Sequence, residues 1–109
     1  MKTQNNVQLI GYLGGDPVIR KAINGSILAR FRLATDYFRR RKDGTVIKKT
    51  TWHNILAWDF LAEKVPEHFI KGSHVLVQGE IRHRTYKNKV GEIKNITEVR
   101  ASGLLNLDR

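Results

Sequence analysis

Residues 51–86 read TWHNILAWDFLAEKVPEHFIKGSHVLVQGEIRHRTY, a strand pattern, a short helix pattern and a second strand pattern in succession. The first strand is predicted for about residues 45–58 and the second for residues 74–86, because both alternate between two chemically different faces. Gly79 inside the second strand predicts a bulge or a sharp bend. One helix between two long strands is therefore the central feature of the predicted fold.

The helix is predicted for residues 60–65. Asp59 precedes it and has the side chain of a typical N-cap residue. Pro66 lacks a backbone donor and is expected to interrupt or kink the helix. One further turn is expected to reach Ile70, with Gly72 as the C-terminal cap.

Two strands are predicted before this unit and one after it. Residues 7–13 are apolar on both faces, which suits a strand that is covered on both sides. From Ile27 the alternation is clean, with Arg30 and Arg32 on an outer basic face. Asp43-Gly44 marks a hairpin tip, whereas residues 18–23 form a short segment of uncertain structure.

The last strand is predicted for residues 92–105, after a hairpin loop at residues 88–91. The chain thus has five strands, with one short helix between the third and the fourth. That order is typical of the OB-fold, a small five-stranded Greek-key barrel. We predict an all-β protein with a single OB-fold domain over residues 1–109.

The charge of the chain favours a polyanionic partner. It has 20 Lys+Arg against 10 Asp+Glu, a formal net charge of +10, and nucleic acid is the commonest ligand of such proteins. The absence of cysteine excludes disulfides and thiol catalysis. No stretch approaches the ~20 apolar residues of a membrane span, and we expect no membrane partner.

Aromatic rings and cations are interleaved along residues 37–58, and again at the end of the fourth strand. Rings stack on unpaired bases and cations neutralise phosphates, which is the chemistry of sequence-independent single-strand binding. Trp52 and Trp58 share one strand face, about 20 Å apart at ~3.3 Å per residue. The candidate DNA-binding residues are Trp52, Trp58, Tyr86, Phe38, Tyr37, Arg39, Arg40, Arg41, Lys42, Lys48, Lys49, Arg82 and Arg84.

Other interpretations of these residues stay open at this point. A tryptophan is often part of a core or an interface, a run of charge is often a solvated loop, and Tyr86 could cap the barrel end. Arg30 and Arg32 could contact nucleic acid or pair with acids on a neighbouring strand. Of the two adjacent rings Tyr37 and Phe38, the sequence does not indicate which one stacks.

We find no motif for catalysis, metal binding or a cofactor. Gly11-x-x-Gly14-Gly15 matches neither phosphate-binding fingerprint and predicts a turn. The four histidines lack metal-ligand spacing, and His83, by its parity in the strand, is predicted to lie in the core. The sequence therefore predicts a binding protein rather than an enzyme.

Five segments, in order and correctly spaced, resemble the bacterial single-stranded DNA-binding protein (SSB) family. They are residues 6–17 (NVQLIGYLGGDP), 31–35 (FRLAT), 51–54 (TWHN), 61–63 (LAE) and 71–82 (KGSHVLVQGEIR). The resemblance extends over residues 5–107. It implies an OB-fold that assembles into a homotetramer, a dimer of dimers, and wraps single-stranded DNA.

The resemblance also implies roles for individual residues. Trp52, Trp58 and Tyr86 fall at base-stacking positions of the family, and a fourth ring is expected on the basic hairpin, at Tyr37 or Phe38. His53 falls at a position associated with the subunit interface, to which we also assign Val7 and Leu9. The implied role is protection of single strands in DNA replication, recombination and repair, in the cytoplasm with the nucleoid.

Bacterial members of the family usually continue into a flexible tail with an acidic tip that recruits other proteins. This sequence ends at residues 103–109 with no such linker or tip. We therefore expect a tailless or truncated member, without recruitment through a tail.

Two alternatives from other functional classes are kept. One is an OB-fold partner in helicase loading, similar to the dimeric primosomal replication protein N. The other is a single-stranded RNA-binding chaperone similar to cold-shock proteins. Oligomeric state and competition between RNA and DNA would separate these from the main hypothesis.

Overall fold

The structure is a computed structural model that describes residues 2–108. In this part of the chain it has six β-strands and one α-helix. They are β1 (Val7–Leu13), β2 (Val18–Lys21), β3 (Ile27–Arg40), β4 (Val46–Trp58), α1 (Asp59–His68), β5 (His74–Lys87) and β6 (Ile93–Asn106).

Five of the strands close into a barrel in the order β1-β5-β6-β4-β3, and β3 returns to β1. All of these pairs are antiparallel except β4 with β6, which is parallel. Helix α1 connects the third and fourth strands of the barrel. The predicted OB-fold, with five barrel strands and one helix in that position, is confirmed.

Strand β2 is the segment whose structure the sequence left uncertain. It pairs only with β3, from Val18 opposite Arg30 to Lys21 opposite Ile27. It lies on the same edge of β3 that β1 uses at Leu33 and Ala34. Residues 14–17 separate β1 from β2, which continues along that edge of β3. Strand β2 therefore extends the barrel wall without joining the closed ring.

The core fills the barrel with small and branched apolar side chains. Ala29, Leu33, Ile55 and Ala57 are fully buried on β3 and β4, and Val75 and Val77 meet them from β5. Helix α1 packs against β3, β4 and β6 and buries Ala62 and Val65. The helix therefore closes one end of the barrel.

The predicted N-cap is wrong. Trp58 is the N-cap residue and makes no side-chain capping bond, while Asp59 is the first helical residue with a φ of 51°. The Asp59 carboxylate accepts a hydrogen bond of 3.1 Å from the backbone N–H of Ile27 on β3. A tertiary contact uses the oxygen that a cap would require.

Of the two effects predicted for Pro66, an interruption is wrong, because α1 continues to His68, two residues short of the predicted Ile70. Pro66 lies in the last turn, where only a short part of the helix depends on the missing donor. Phe69 is the C-cap residue, and Gly72 lies beyond it and donates its N–H to the Leu13 carbonyl at 2.9 Å. Gly72 thus connects the loop to β1 instead of ending the helix.

The β3–β4 hairpin extends beyond the barrel with an unbroken register that ends with Arg40 opposite Val46. Its predicted tip at Asp43-Gly44 is confirmed. Gly44 has a φ of 90°, and the Asp43 carboxylate accepts hydrogen bonds from the Thr45 N–H and hydroxyl. These bonds lower the pKa of Asp43.

The β5–β6 hairpin bends at Gly79, as predicted. Gln78 lies opposite Gly103 but Gly79 lies opposite Ala101, so the register shifts by one residue. A Cβ at Gly79 would lie 2.1 Å from the Arg100 carbonyl oxygen, which excludes a larger residue. Residues 81–87 are exposed, and β5 leaves the barrel after Arg82, which lies opposite Glu98, the last β6 residue that also pairs with β4.

His83 is therefore not a core residue, and that prediction is wrong. Its side chain is exposed on the projecting part of β5, where Nδ1 lies 2.9 Å from the Thr97 hydroxyl. Strand parity still places it on the side of Val75 and Val77. That side has no core to face once the strand has left the barrel.

Candidate nucleic-acid interface

The two tryptophans lie on the outer face of β4. Ile55 and Ala57 are completely buried on the inner face, so the alternation of the strand directs Trp52 and Trp58 outward. Trp52 is 45% exposed and Trp58 is half-buried. The two faces that the sequence predicts for this strand are confirmed.

The register continues this outer face across four strands. Leu56 lies between Arg30 on β3 and Arg100 on β6, and Asn54 lies between Arg32 and Glu98. Residues directly opposite one another point to the same side of a sheet. We call this surface the outer face, and its β5 and β6 members include Arg82, Arg84, Tyr86, Glu98 and Arg100.

Trp52 is held between a glycine and an arginine. A Cβ at Gly14 would lie 2.3 Å from Cζ3 of the indole ring, so the ring rests directly against the Gly14 backbone. The Arg32 guanidinium lies over the ring, 4.6 Å from its centroid. Such a cation–π contact stabilises the orientation of the ring.

Trp58 lines an open depression of about 420 Å³ in the outer face. Arg30, Arg84 and Glu98 lie in its wall, with Leu28, Leu56 and Arg100 among the other lining residues. The depression therefore combines one aromatic ring with several guanidinium groups. It brings Trp58 of β4 together with Arg82 and Arg84, two of the three residues predicted on β5.

Arg84 and Tyr86 form one group with Glu98. Arg84 donates from Nε to Glu98 Oε1 at 2.6 Å and from Nη2 to Oε2 at 3.2 Å. Its guanidinium lies 5.8 Å from the centroid of the Tyr86 ring, which is 44% exposed. The hydrogen bonds with Glu98 are the main cause of a raised pKa at Arg84.

The tip of the β3–β4 hairpin divides its predicted residues between two faces. Phe38 lies opposite Lys48 with the parity of Arg30 and Arg32, so it belongs to the outer face. Tyr37 lies opposite Lys49 and has the parity of the buried Leu33. On that second side Tyr37, Arg39, Arg41, Ile47 and Lys49 line a separate depression.

Some of the predicted cations have acidic partners. Lys48 lies 3.8 Å from Asp36 and Arg82 lies 2.7 Å from Glu80. Within residues 2–108, no ion pair engages the tip cations Arg39, Arg40, Arg41 and Lys42, or Lys49. These five are the most available for phosphate oxygens.

The sequence did not assign four members of the surface to DNA: Gly14 and Glu98 carried no such signal, and two roles stayed open for Arg30 and Arg32. Arg32 covers Trp52, Arg30 lies 3.9 Å from Glu98, and Gly14 supports an indole ring. The alternation of β3 already placed both arginines on a basic outer face and was the available signal. Nothing in the sequence around Glu98 indicates that this side chain is buried beside arginines from two strands.

The residues assigned to a subunit interface occupy different environments. Val7 and Leu9 are half-buried, and they pack against the core from the inner side of β1. His53 is also partly buried, with Nε2 2.8 Å from the Thr35 hydroxyl, and burial lowers its pKa.

The opposite side of β1 is apolar and uncovered. Ile10 and Tyr12 are each 52% exposed, and Leu105 is 57% exposed. Ile10 lies opposite Leu76, which lies opposite Leu105, so the three form one row across β1, β5 and β6. Tyr12 stacks on His74 with centroids 4.6 Å apart. We call Ile10, Tyr12, Leu76 and Leu105 the apolar sheet face.

Two further observations concern the described chain. Over residues 2–108, the single helix is too short and too polar to cross a membrane. In the same range, no three side chains of histidine, aspartate or glutamate converge in a way that could hold a metal ion.

Comparison with known proteins adds independent findings. The chain is 36% identical over 96 residues to single-stranded DNA-binding protein 1 of Chlorobaculum tepidum, which covers 87% of this chain and 59% of that protein. The chain thus spans about three fifths of the length of this curated relative. It also superposes on the solved Plasmodium falciparum SSB complex with ssDNA, with a TM-score of 0.88, 33% identity and coverage of 99% and 98% of the two chains.

The family comparison extends over almost the whole barrel. Residues 4–107 match the family described as the single-strand binding protein family. The match includes every strand, the helix and all residues of the outer face named above. This chain therefore belongs to the single-strand binding protein family.

Proposed function

We propose that this protein binds single-stranded DNA without sequence preference, along the outer face. The observation that carries this proposal is the shared orientation of Phe38, Trp52, Trp58 and Tyr86. These four rings project from three strands onto one surface, where Arg30, Arg32, Arg82 and Arg84 lie between them. The similar Plasmodium falciparum SSB was solved in complex with ssDNA, which supports the choice of ligand.

Stacking on these rings would supply affinity without base preference. Each stacked base contributes roughly 1–3 kcal/mol, and every base has a π-face. A base that stacks on the covered face of Trp52 must displace the Arg32 guanidinium, which lies 4.6 Å from the ring centroid. The displaced arginine would then be free to pair with a phosphate.

The cations would guide the phosphate backbone. Arg40, which has the parity of Phe38, and Lys42 in the adjoining turn have no acidic partner among the described residues, so no ion pair has to break before they bind phosphate at the outer face. Arg39, Arg41 and Lys49 also lack an acidic partner in this part of the chain, but they line the depression on the Tyr37 side, where a DNA strand that rounds the hairpin tip would reach them. Affinity should fall with the logarithm of salt concentration, with a slope of about −0.7 for each neutralised phosphate.

The proposed activity keeps DNA strands unpaired and protected during replication, recombination and repair, and involves no chemical reaction. A protein with this activity would act in the cytoplasm, on the nucleoid. The family match and both relatives favour this function over helicase loading and over RNA chaperoning.

We also propose a homotetramer, a dimer of dimers, in which the apolar sheet face is covered by another copy. The sequence predicted a strand covered on both sides at residues 7–13, and a single chain covers only the Val7 and Leu9 side. Ile10, Tyr12 and Leu105 of this face are all more than half exposed. A cluster of exposed apolar side chains of this kind is typical of a surface that contacts another protein. Val7, Leu9 and His53 lie on the side that the chain itself covers, but all three are only partly buried, and they stay proposed members of the subunit contacts.

The main experiment is a titration of the intrinsic tryptophan fluorescence with dT oligomers at several salt concentrations. We expect strong quenching that weakens as salt rises, because rings and cations act together. Trp52→Ala should weaken binding to dT, dA and dC oligomers by similar factors, about tenfold per lost stack of 1.4 kcal/mol.

Phe60 provides the matched control for the removal of a ring. It is 70% exposed on α1 beneath the Lys64 ammonium, and it does not line the depression around Trp58. Phe60→Ala should leave affinity unchanged. An absence of quenching in the wild type, or a loss at Trp52→Ala restricted to one base, would contradict the proposal.

A further inference from the structure

A carboxylate is buried in the surface that we propose for DNA. Glu98 is only 2% exposed, yet it lies on the outer face of β6, while its neighbour Val99 points into the core. A buried carboxylate is costly unless cations and hydrogen bonds compensate it. An acid at this position also opposes a polyanionic ligand, so its presence requires a reason.

Arginines from two other strands compensate the charge. Arg84 of β5 donates to both carboxylate oxygens, at 2.6 and 3.2 Å. Arg30 of β3 lies 3.9 Å from Oε2 on the opposite side. Two-point pairing of a guanidinium with a carboxylate restricts orientation as well as distance.

The pairing leaves part of Arg84 available in a defined direction. A guanidinium has five N–H donors in a rigid plane, and those that do not meet Glu98 point away from it. The side chain is 43% exposed, so this edge can reach a ligand. The same guanidinium lies 5.8 Å from the centroid of the Tyr86 ring, which couples the ring to the ion pair.

We propose that Glu98 is a positioning residue for nucleic acid, which fixes the plane of Arg84 and, through it, the Tyr86 ring. This inference rests on the proposed binding of single-stranded DNA. It assigns to an acidic, buried residue a contribution to affinity that its charge alone would oppose. Glu98 itself does not need to touch the ligand.

The neighbouring pair Glu80–Arg82 supplies a matched comparison. It lies on the same face of β5, but Arg82 directs both of its bonds to the single oxygen Oε1 of Glu80. Both side chains are exposed, at 39% and 54%. This pair places the same charges on the same surface, but its carboxylate is exposed, whereas the Glu98 carboxylate that holds Arg84 is buried.

The experiment compares E98Q with E80Q in the oligonucleotide titration. Each variant removes one negative charge from the surface, which by charge alone strengthens binding to DNA. E80Q should bind as tightly as the wild type or slightly tighter. E98Q should bind about 3- to 10-fold more weakly, a size typical of coupled groups.

A double-mutant cycle with Tyr86→Ala tests the coupling directly. If Glu98 positions the ring through Arg84, Tyr86→Ala should cost clearly less affinity in the E98Q background than in the wild type. Binding by E98Q that equals or exceeds the wild type would overturn the inference. So would a Tyr86→Ala loss of equal size in both backgrounds.

Thermal unfolding of E98Q would reveal whether this variant is destabilised. Arg84→Lys tests the same ion pair without removing the buried carboxylate. This substitution is at the exposed end of the pair and keeps the positive charge but not the planar two-point contact. It should reproduce the weaker binding, and unchanged affinity would overturn the inference. Failure of the wild type to bind any oligonucleotide would instead refute the proposed function, so the two failures are distinguishable.

Discussion

Gly14 illustrates how one residue without a side chain determines the position of a large one. The Trp52 ring occupies the space that a Cβ at Gly14 would need, and Arg32 covers the ring from outside. Gly15, the next residue, has no atom within 4 Å of its hypothetical Cβ. Two adjacent glycines in one turn therefore differ completely in what they tolerate.

This contrast yields a prediction about Gly14→Ala. The new methyl group would lie 2.3 Å from the indole ring, so the ring must move off the turn. We expect weaker binding of dT oligomers, by up to the roughly 1–3 kcal/mol of one stacked base. A fluorescence titration measures the affinity, and the emission maximum of the free protein reports the displaced ring.

Gly15→Ala is the control, because its methyl group would meet no neighbour. It should match the wild type in both affinity and emission. Equal behaviour of the two variants would show that Gly14 does not determine the position of Trp52.

At the scale of elements, the β3–β4 hairpin separates Tyr37 from Phe38. Its register has no bulge from Leu28 opposite Trp58 to Arg40 opposite Val46. Parity is therefore preserved along its whole length, and Phe38 stays on the side of Trp52. Both rings are 62% exposed, so orientation and not accessibility distinguishes them.

We predict that Phe38→Ala weakens binding of single-stranded DNA more than Tyr37→Ala does. The difference should approach the roughly 1–3 kcal/mol of one stacked base, since only Phe38 extends the row of rings on the outer face. Parallel titrations of the two variants measure it. A larger loss of affinity at Tyr37→Ala would mean that the bound DNA strand runs along the other side of the hairpin.

Most strands could be predicted from the sequence, because alternation along a strand is a local signal. The predicted last strand at residues 92–105 agrees closely with β6 at Ile93–Asn106. The helix ends could not be predicted, since Asp59 bonds to Ile27 across the fold. His83 was misplaced because parity gives the side of a strand but not where the barrel ends.

At the scale of the whole molecule, the exposed apolar sheet face sets an expectation about assembly. Leu76→Arg would place a charge in the middle of that row, between Ile10 and Leu105. A buried unpaired charge strongly destabilises an interface. We expect the mass in solution to fall from that of four chains, as measured by light scattering.

Ile23→Arg is the control for this change. Ile23 is an equally apolar side chain, fully exposed in the turn after β2 and outside the apolar sheet face. It should leave the mass unchanged. A tetramer that survives Leu76→Arg would place the subunit contacts elsewhere on the barrel.

The sequence alone indicates the barrel, its helix, the net charge of +10 and the rings and cations available for DNA. These follow from periodicity, composition and resemblance, which are properties of neighbouring residues or of the chain as a whole. The three-dimensional fold decides which of them meet. Pairing of β4 with β3 and β6, and of β5 with β6, brings Arg30, Glu98 and Arg84 together from three strands, and the unbroken β3–β4 register puts Phe38, not Tyr37, on the side of Trp52. Such contacts depend on register between distant segments, which no local pattern in the chain records.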